Sequence, residues 1–444
     1  MKLQKEKLIE KYNIAFGIFL VSILVILGYN FLSLDLFHFK QIDEITKIYY
    51  ADNITTAHQK VIDLFNEQNK GNIEIVPINL PFTKFTTNER KELLARSLRT
   101  DNSIVDIFAV DLIWISRFSK WAEPLDSYFT GDELERILPD LLETSYYDGD
   151  LVSIPMYMDI GVLFYRNDLL EKKVEDWENV EKRLTHSISW KELINISHKY
   201  FPDQFTYSFQ GKAFEGLVCN YGEILESMGG ELSFDDSTRI TGEINIEATE
   251  FMHNLIHKYK VSPPELSKYS EVSSYNYMRE NELPFLRGWF SSSKDSISFG
   301  GDPNYYKTLS MGMLPRFGDK PFKTARGGWN LMIKKNSTKK EASIKFIKFI
   351  LSNPIQELLY KEARFLFVTN EMYDKKEVLG ELSKLDLRDI IENHSFNRPV
   401  SENYTKISDI YSYYVNQALE GKIGSDVAMQ KIVKTVFSDQ VFIK

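Results

Sequence analysis

The chain lacks most of the sequence features that identify common enzymes and nucleic-acid-binding proteins. Its 444 residues include one cysteine, Cys219, so no disulfide can form within the chain. The net charge is -9, and no basic stripe is present that could neutralise phosphates. No nucleophile elbow, phosphate loop, dinucleotide fingerprint or zinc-binding spacing occurs. These absences argue against nucleic acid as a partner, and no cofactor is expected.

The seven histidines are scattered along the chain and do not predict a metal site. His253 and His257 stand four residues apart, so a helix would present both on one face. No glutamate follows His253, as metalloprotease chemistry would need, and no third ligand is evident. We therefore expect these two histidines to lie on a helix surface.

An apolar run near the N-terminus predicts a membrane segment. Residues 1–13 include four lysines, and residues 14–32 are almost wholly apolar, long enough to span a bilayer as a helix. The lysines predict a cytoplasmic N-terminus and an exported remainder, with residues 33–45 as a tether. A cleaved signal peptide is the alternative. A single-pass anchor is favoured because no Ala-x-Ala-like cleavage site follows.

The exported part has the length and pattern of a two-lobe α/β protein. At 444 residues the chain exceeds one ordinary hydrophobic core. Alternating strand and helix patterns after the tether predict a mostly parallel sheet. The predicted elements are strand 45–50, helix 56–69, strand 73–78, helix 88–99 and strand 105–110. Asp111 follows the last of these strands, at the carboxyl edge where such sheets bind ligands.

Helical patterns predominate in the rest of the chain, where a strand is also predicted. The predicted helices are 190–200, 214–228, 246–258, 339–351, 403–420 and 425–436, and the strand is 310–315. No tandem repeat and no low-complexity tract interrupts this pattern. The architecture after residue 111 is therefore predicted to stay mixed α/β.

Residues 154–167 combine a buried strand with polar side chains. A period of two places Tyr157 and Asp159 on the same face, and Gly161 is expected to let the backbone turn. An aspartate within an apolar run is costly unless a partner satisfies it. Either the strand ends with Asp159 capping a turn, or the segment crosses between two lobes and presents Tyr157 and Asp159 to a cleft.

Tryptophan stands beside glycine in two places. Trp289 follows Gly288, and Trp329 follows Gly327 and Gly328. Glycines that bring backbone close to a ligand, together with aromatic rings that cover its faces, suit carbohydrate. The alternative is two core tryptophans beside turns.

Six stretches make the chain similar to a known family. They are residues 105–115, 155–161, 209–220, 255–264, 327–330 and 397–400. In this order they resemble the family 1 extracellular solute-binding proteins of sugar ABC transporters, especially the trehalose- and maltose-binding branch. The similarity runs from about residue 45 to residue 436.

The resemblance implies a class II, two-lobe periplasmic-binding-protein fold whose hinge-linked lobes close on a sugar. Lobe 1 would comprise residues 46–158 and 312–350, and lobe 2 residues 159–311 and 351–444. The crossings would fall near residues 158–161, 311–314 and 350–354. Ligand roles carry over to Asp111, Tyr157, Asp159, Trp289, Gly328 and Trp329, and less closely to Arg90.

Three segments depart from the family pattern. The family's acidic residue after the first strand is missing from residues 53–58, and its polar residue near 368–370 is not evident. After Trp289 an aromatic-rich run is replaced by residues 290–293, Phe-Ser-Ser-Ser. The resemblance therefore predicts a sugar cleft without predicting which sugar it holds.

The resemblance implies a binding function and no catalysis. The expected protein is a monomeric receptor on the periplasmic or extracellular face of the inner membrane, which delivers a disaccharide or oligosaccharide to an ABC permease. A receptor that serves a sensor is one alternative. A glycoside hydrolase that uses Asp111 and Asp159 is another, although paired carboxylates are common in an acidic chain.

Overall fold

The structure is a computed structural model that describes residues 2–36, 45–100, 102–293, 303–380, 385–401 and 403–438. Helix α1 (Lys2–Leu36) contains the predicted apolar segment. Its part Glu10–Tyr29 is long and apolar enough to cross a membrane, and none of that apolar surface is buried against protein. The predicted tether 33–45 begins inside α1 and otherwise lies mostly outside the described residues.

Nine of the strands described form one mixed sheet, in the order β2-β1-β3-β10-β6-β8-β7, with β11 beside β10 and β9 beside β6. The other two strands, β4 and β5, pair only with each other. The strands are β1 (Thr46–Asp52), β2 (Ile73–Asn79), β3 (Ile107–Asp111), β4 (Tyr146–Tyr147), β5 (Asp150–Leu151), β6 (Ile154–Arg166), β7 (Tyr207–Ser208), β8 (Phe285–Trp289), β9 (Leu309–Gly312), β10 (Thr324–Ile333) and β11 (Ser395–Phe396).

Helices cover the sheet and account for most of the remaining chain. After α1 they are α2 (Thr56–Gln68), α3 (Thr87–Leu98), α4 (Ile115–Phe118), α5 (Gly131–Glu135), α6 (Pro139–Glu143), α7 (Asn167–Lys173), α8 (Trp177–His186), α9 (Trp190–Tyr200), α10 (Glu215–Ser227), α11 (Ser237–Ile240), α12 (Glu243–His257), α13 (Glu271–Glu280), α14 (Pro303–Tyr306), α15 (Lys340–Ile350), α16 (Asn353–Ala363), α17 (Lys376–Leu379), α18 (Leu387–Asp389), α19 (Tyr404–Leu419) and α20 (Ser425–Val436).

The first part of the chain after α1 forms the parallel sheet that its sequence pattern predicts. Strands β2 and β3 pair in parallel on either side of β1, and α2 and α3 connect them. Helix α2 begins with a capping box at Thr55 and buries the apolar face expected from its periodicity. Strand β3 ends at Asp111, so this side chain lies at the carboxyl edge of the sheet.

Two long buried strands join this first half of the sheet (β1 to β3) to a second half (β7 to β9). The N-terminal part of β6 pairs with β10, and its C-terminal part pairs with β8 and β9. Strand β10 in turn pairs with β3 through its C-terminal part. All residues of β6 and β10 are buried, because both strands are covered on both faces.

Strands β9 and β10 follow one another in the chain and pair in different parts of the sheet, and the predicted crossing at 311–314 stays a prediction. Met311 pairs with Phe164 within the second half. The chain reaches the first half through β10, where Arg326 pairs with Ile160 and Trp329 pairs with Asp111. The apolar pattern at 310–315 identified a strand correctly, but a period of two does not specify the partner of a strand.

Gly161 does not turn the chain as expected, because β6 continues through it to Arg166. Its importance lies in packing. A Cβ at this position would meet Glu223 Oε1 at 2.2 Å and Arg287 Nη2 at 2.7 Å. Glycine therefore leaves space for a buried ion pair directly beside the strand.

His253 and His257 lie in a contact between helices. Their rings stack with centroids 4.1 Å apart. The Nδ1 atom of His253 and the Nε2 atom of His257 form hydrogen bonds with the backbone oxygens of Ala418 and Leu419, at 2.8 and 2.9 Å. The pair thus satisfies carbonyl groups at the C-terminal end of α19.

Candidate ligand-binding cleft

A large open cavity lies between the two halves of the sheet, with about 1670 Å³ of space including its mouth. Six of the seven residues predicted to bind ligand line it. The lining includes Asn53, Ile54, Thr55, Thr56, Ala57, Asn79, Phe82, Asp111, Tyr157, Asp159, Glu215, Glu271, Trp289, Ser291, Gly328, Trp329, Glu362, Phe365 and Arg398. Residues far apart in sequence therefore share one solvent-accessible space.

Tyr157 contributes an aromatic wall from the centre of β6. Its ring stacks on Phe365 with centroids 3.8 Å apart and planes 5° apart. Burial raises the pKa of the Tyr157 hydroxyl well above its usual value, so the group stays a neutral hydrogen-bonding group. Sequence reasoning missed Phe365, which follows α16 and whose neighbours carry no distinctive motif.

Asp159 is held by the segment that departs from the family pattern. Its carboxylate accepts hydrogen bonds from Ser291 N at 3.1 Å, Ser291 Oγ at 2.5 Å and Ile160 N at 2.9 Å. Burial raises the pKa of Asp159 to about 6, although the hydrogen bonds from Ser291 oppose this shift. The Phe-Ser-Ser-Ser segment thus supports the predicted ligand residue directly.

Asp111 is paired with an arginine from the C-terminal region. Arg398 Nη2 lies 3.0 Å from Asp111 Oδ1, and Arg398 Nη1 lies 2.8 Å from Glu215 Oε1. Burial raises the pKa of Asp111, and the Arg398 charge opposes this effect. Residues 397–400 contributed to the resemblance, but the sequence alone assigned no role to Arg398 or Glu215.

Trp289 lies at the end of β8 above a second buried ion pair. The Arg287 guanidinium is 4.1 Å from the centroid of the Trp289 ring. Arg287 is itself bound in two places by the Glu223 carboxylate, at 2.6 and 3.0 Å. This fixed pair supports the indole from behind, and the Trp289 side chain lines the cavity.

Gly328 allows β10 to pass close to β6 at the cavity wall. Its φ is +148°, and a Cβ there would lie 2.7 Å from the Tyr157 backbone oxygen. The pairing register of β10 shifts between Trp329 and Asn330. These two irregularities lie beside Trp329, whose buried side chain belongs both to the hydrophobic core and to the cavity lining.

Arg90 is absent from the residues that line the cavity and lies behind Trp329. Its guanidinium carbon is 4.2 Å from the ring centroids of both Trp329 and Phe82. Arg90 Nη2 also pairs with Asp52 Oδ1 at 2.9 Å, and both side chains are buried. In this geometry Arg90 supports the aromatic wall, and its ligand role stays a prediction.

The two segments without the family's polar residues differ in position. Residues 53–57 line the cavity and offer Asn53, Thr55 and Thr56 as polar groups. Val368 and Thr369 are buried and are not among the lining residues; Glu362 and Phe365 line that side instead. The wall from the C-terminal region is thus built by different residues than expected.

Comparison with known proteins identifies the family. Residues 51–357, more than half of the chain, match the family model described as bacterial extracellular solute-binding protein. A probable ABC transporter-binding protein of Deinococcus radiodurans is 25% identical over 366 residues, which cover 78% of this chain and 82% of that protein. The family match includes all of the predicted site residues.

Solved structures agree with this result over nearly all of the exported chain. Maltose-bound T. maritima MalE3 is 27% identical and superimposes with a TM-score of 0.77, covering 88% of this chain and 99% of its own. A solute-binding protein of Thermotoga lettingae bound to alpha-D-tagatose is 21% identical, with a TM-score of 0.75 and coverage of 88% and 98%. The mixed α/β fold is therefore the two-lobe fold of maltose-binding-like proteins, and the chain belongs to the bacterial extracellular solute-binding protein family.

Proposed function

We propose that this protein captures a sugar in the cleft and delivers it to an ABC-transporter permease. The observation that carries the proposal is the joint presence in one cavity of aromatic faces from Tyr157, Trp289 and Trp329 with carboxylates from Asp111 and Asp159. The relatives bound to maltose and tagatose support a carbohydrate ligand. A disaccharide or oligosaccharide fits the volume of the cavity.

Sugar chemistry matches these groups. Pyranose rings have apolar faces that stack on aromatic side chains, and their vicinal hydroxyls donate to carboxylate oxygens. Each hydrogen bond to a charged group contributes about 1.5–3 kcal/mol, and a missing hydroxyl would leave a buried carboxylate unsatisfied. Binding by these contacts requires no bond cleavage, so the protein is proposed to be a receptor and not a glycosidase.

The site also favours closure of the lobes. In the proposed division, Asp111 belongs to lobe 1 (46–158 and 312–350), whereas Trp289 belongs to lobe 2 (159–311 and 351–444). A ligand that touches both side chains bridges the lobes and stabilises the closed state. The expected hinges are the predicted crossings near residues 158–161, 311–314 and 350–354.

A sugar panel tests the binding function. Calorimetry with mono-, di- and oligosaccharides is expected to find at least one ligand, and small-angle scattering should then give a smaller radius of gyration with that sugar. Chromatography after long incubation should recover the sugar intact. Absence of binding across the panel would contradict the proposal, and release of glucose that an Asp159→Asn variant loses would indicate a hydrolase.

Helix α1 is proposed to keep the receptor, a monomer, on the outer face of the inner membrane. Mass spectrometry of the native protein should find the N-terminus intact and the protein in the membrane fraction. A soluble form that begins near residue 33 would instead identify a cleaved signal. A permease gene beside this one is expected, and a sensor kinase gene in its place would favour the sensor alternative.

A further inference from the structure

The charged groups in the lining of the cleft are mostly acidic. Among the described residues, the carboxylates of the lining are Asp111, Asp159, Glu215, Glu271 and Glu362, and its cation is Arg398. This excess of negative charge is available to a ligand chiefly where a carboxylate has no cationic partner in the protein.

Three of these carboxylates have a cationic partner within the protein. Arg398 pairs with both Asp111 and Glu215, so one positive charge is shared by two carboxylates. The carboxylate of Glu362 pairs with Lys60 Nζ at 2.7 Å. Each of these three carboxylates is therefore in direct contact with a positive charge of the protein.

Asp159 and Glu271 have no such partner. No lysine, arginine or histidine among the described residues forms an ion pair with either carboxylate. The nearby Arg287 is bound in two places by Glu223, and burial raises the pKa of Asp159 and Glu271 by more than the Arg287 charge lowers it. Burial raises the pKa of Glu271 to about 7 and that of Asp159 to about 6, as expected for acids without a counter-charge.

Both unpaired carboxylates accept hydrogen bonds from residues 289–291. Asp159 is bound by Ser291, two residues after Trp289. Glu271, at the first position of α13, lies within reach of a hydrogen bond from the Trp289 side chain. An indole ring and two carboxylates in a partly dry cavity attract a cation strongly, through the ring quadrupole and through low-dielectric Coulomb interactions.

We infer that the ligand is a sugar that carries a protonated amine, held by Asp159, Glu271 and Trp289. This inference rests on the proposed sugar-binding function and specifies its substrate class. The ammonium group donates to both carboxylates and lies against the indole. Neutral hydroxyls of the same sugar face Asp111 and Trp329 at the opposite wall.

Matched sugars test the inference. Each set contains three sugars that differ at one carbon, which carries an amine, an N-acetylamine or a hydroxyl. Glucosamine, N-acetylglucosamine and glucose form one set. Their β-1,4-linked disaccharides and the corresponding galactose series form the others. At pH 7 the full-length protein is expected to bind the amine at least about tenfold more tightly than the hydroxyl analogue, a difference of about 1.4 kcal/mol.

Glu271→Gln provides the decisive variant, since the amide keeps the size of the side chain and removes its charge. It should reduce the preference for the amine to within about threefold, because the affinity for the amine falls more than the affinity for the neutral analogue. The matched control is Glu265→Gln, which removes one exposed charge in the same part of the chain and should preserve the preference.

Proton release gives an independent measurement. Binding of a cation favours the ionised form of both carboxylates. At pH 6 Glu271 is mostly protonated and Asp159 about half protonated in the free protein, so amine binding should release about one proton from Glu271 and about half a proton from Asp159. Calorimetry in buffers of different ionisation enthalpy measures this number. The neutral analogue and the Glu271→Gln variant should release clearly fewer protons.

The outcomes separate this inference from the broader function. If neutral sugars of the panel bind and no amine binds more tightly than its analogue, the inference is wrong while sugar binding stands. An amine preference that Glu271→Gln leaves intact also overturns it. If no sugar of any kind binds, the proposed function itself fails.

Discussion

Substitution of Arg90 by methionine tests whether this residue supports the aromatic wall from behind or binds ligand directly. Arg90 is enclosed by the rings of Phe82 and Trp329 and is paired with Asp52. Methionine is of similar length and apolar, so it can fill much of the same space without the charge. The substitution therefore removes electrostatic contacts with little change in packing volume.

The expected loss follows from these contacts. Breaking a buried ion pair by removing one partner costs about 3–5 kcal/mol, because the other charge stays buried. The Asp52 carboxylate would keep hydrogen bonds from Tyr50 Oη at 2.5 Å and Asn53 N at 2.6 Å, which places the loss near the lower limit. Two cation–π contacts add about 0.5–1 kcal/mol each. We expect a loss of about 3–5 kcal/mol in the free energy of unfolding.

Urea denaturation of wild type, Arg90→Met, Asp52→Asn and the double variant measures this loss. The loss of stability in the double variant should be smaller than the sum of the losses in the two single variants, by about 1–3 kcal/mol. The reason is that each single variant leaves one buried charge unpaired, whereas the double variant leaves none. Sugar affinity should fall by a similar factor for every ligand that stacks on Trp329, since the ring loses its support.

Two results would refute this reasoning. A loss below about 1 kcal/mol with additive effects would mean that the Asp52–Arg90 pair does not brace the wall. Normal stability combined with loss of affinity for one sugar alone would make Arg90 a ligand residue, as the resemblance first implied.

Three further predictions concern the cleft. Gly161→Ala should destabilise the protein by about 1–3 kcal/mol because its Cβ would meet the Glu223 carboxylate, whereas Gly131→Ala, where a Cβ meets no atom within 4 Å, should be nearly neutral; thermal unfolding compares them. Trp329→Ala should weaken the binding of several sugars to a similar extent. Asp159→Ala should weaken mainly the binding of sugars whose polar groups contact Asp159, by about 2 kcal/mol. If calorimetry shows that both variants weaken the binding of all sugars equally, the two residues do not have separate roles. Asp159→Asn should be more stable than wild type by about 1–3 kcal/mol at pH 8. The raised pKa of about 6 means that the native state of the wild type disfavours the charged carboxylate. Denaturation at a series of pH values should show the stability difference disappear between about pH 6 and pH 4, as Asp159 becomes protonated.

The sequence by itself determined many elements of the fold and six of the residues that line the cleft. Helix α9 (Trp190–Tyr200) and helix α20 (Ser425–Val436) have the bounds that their periodicity predicts. Asp111 lies at the carboxyl edge of the first sheet half, and Tyr157 and Asp159 share a face of β6, because strand alternation is a local property of the backbone. The match of ordered motifs to a known family supplied the two-lobe arrangement.

Only the tertiary structure decided how the charges in the cleft are compensated. Arg398 reaches Asp111 across 287 positions of the chain, and Phe365 stacks on Tyr157 across more than 200. Arg90 is turned away from the cavity because Asp52 and two aromatic rings hold it there. Residue type and spacing indicate which groups are polar, but the pairing of a buried charge depends on neighbours that chain folding brings together, and no local pattern records those distances.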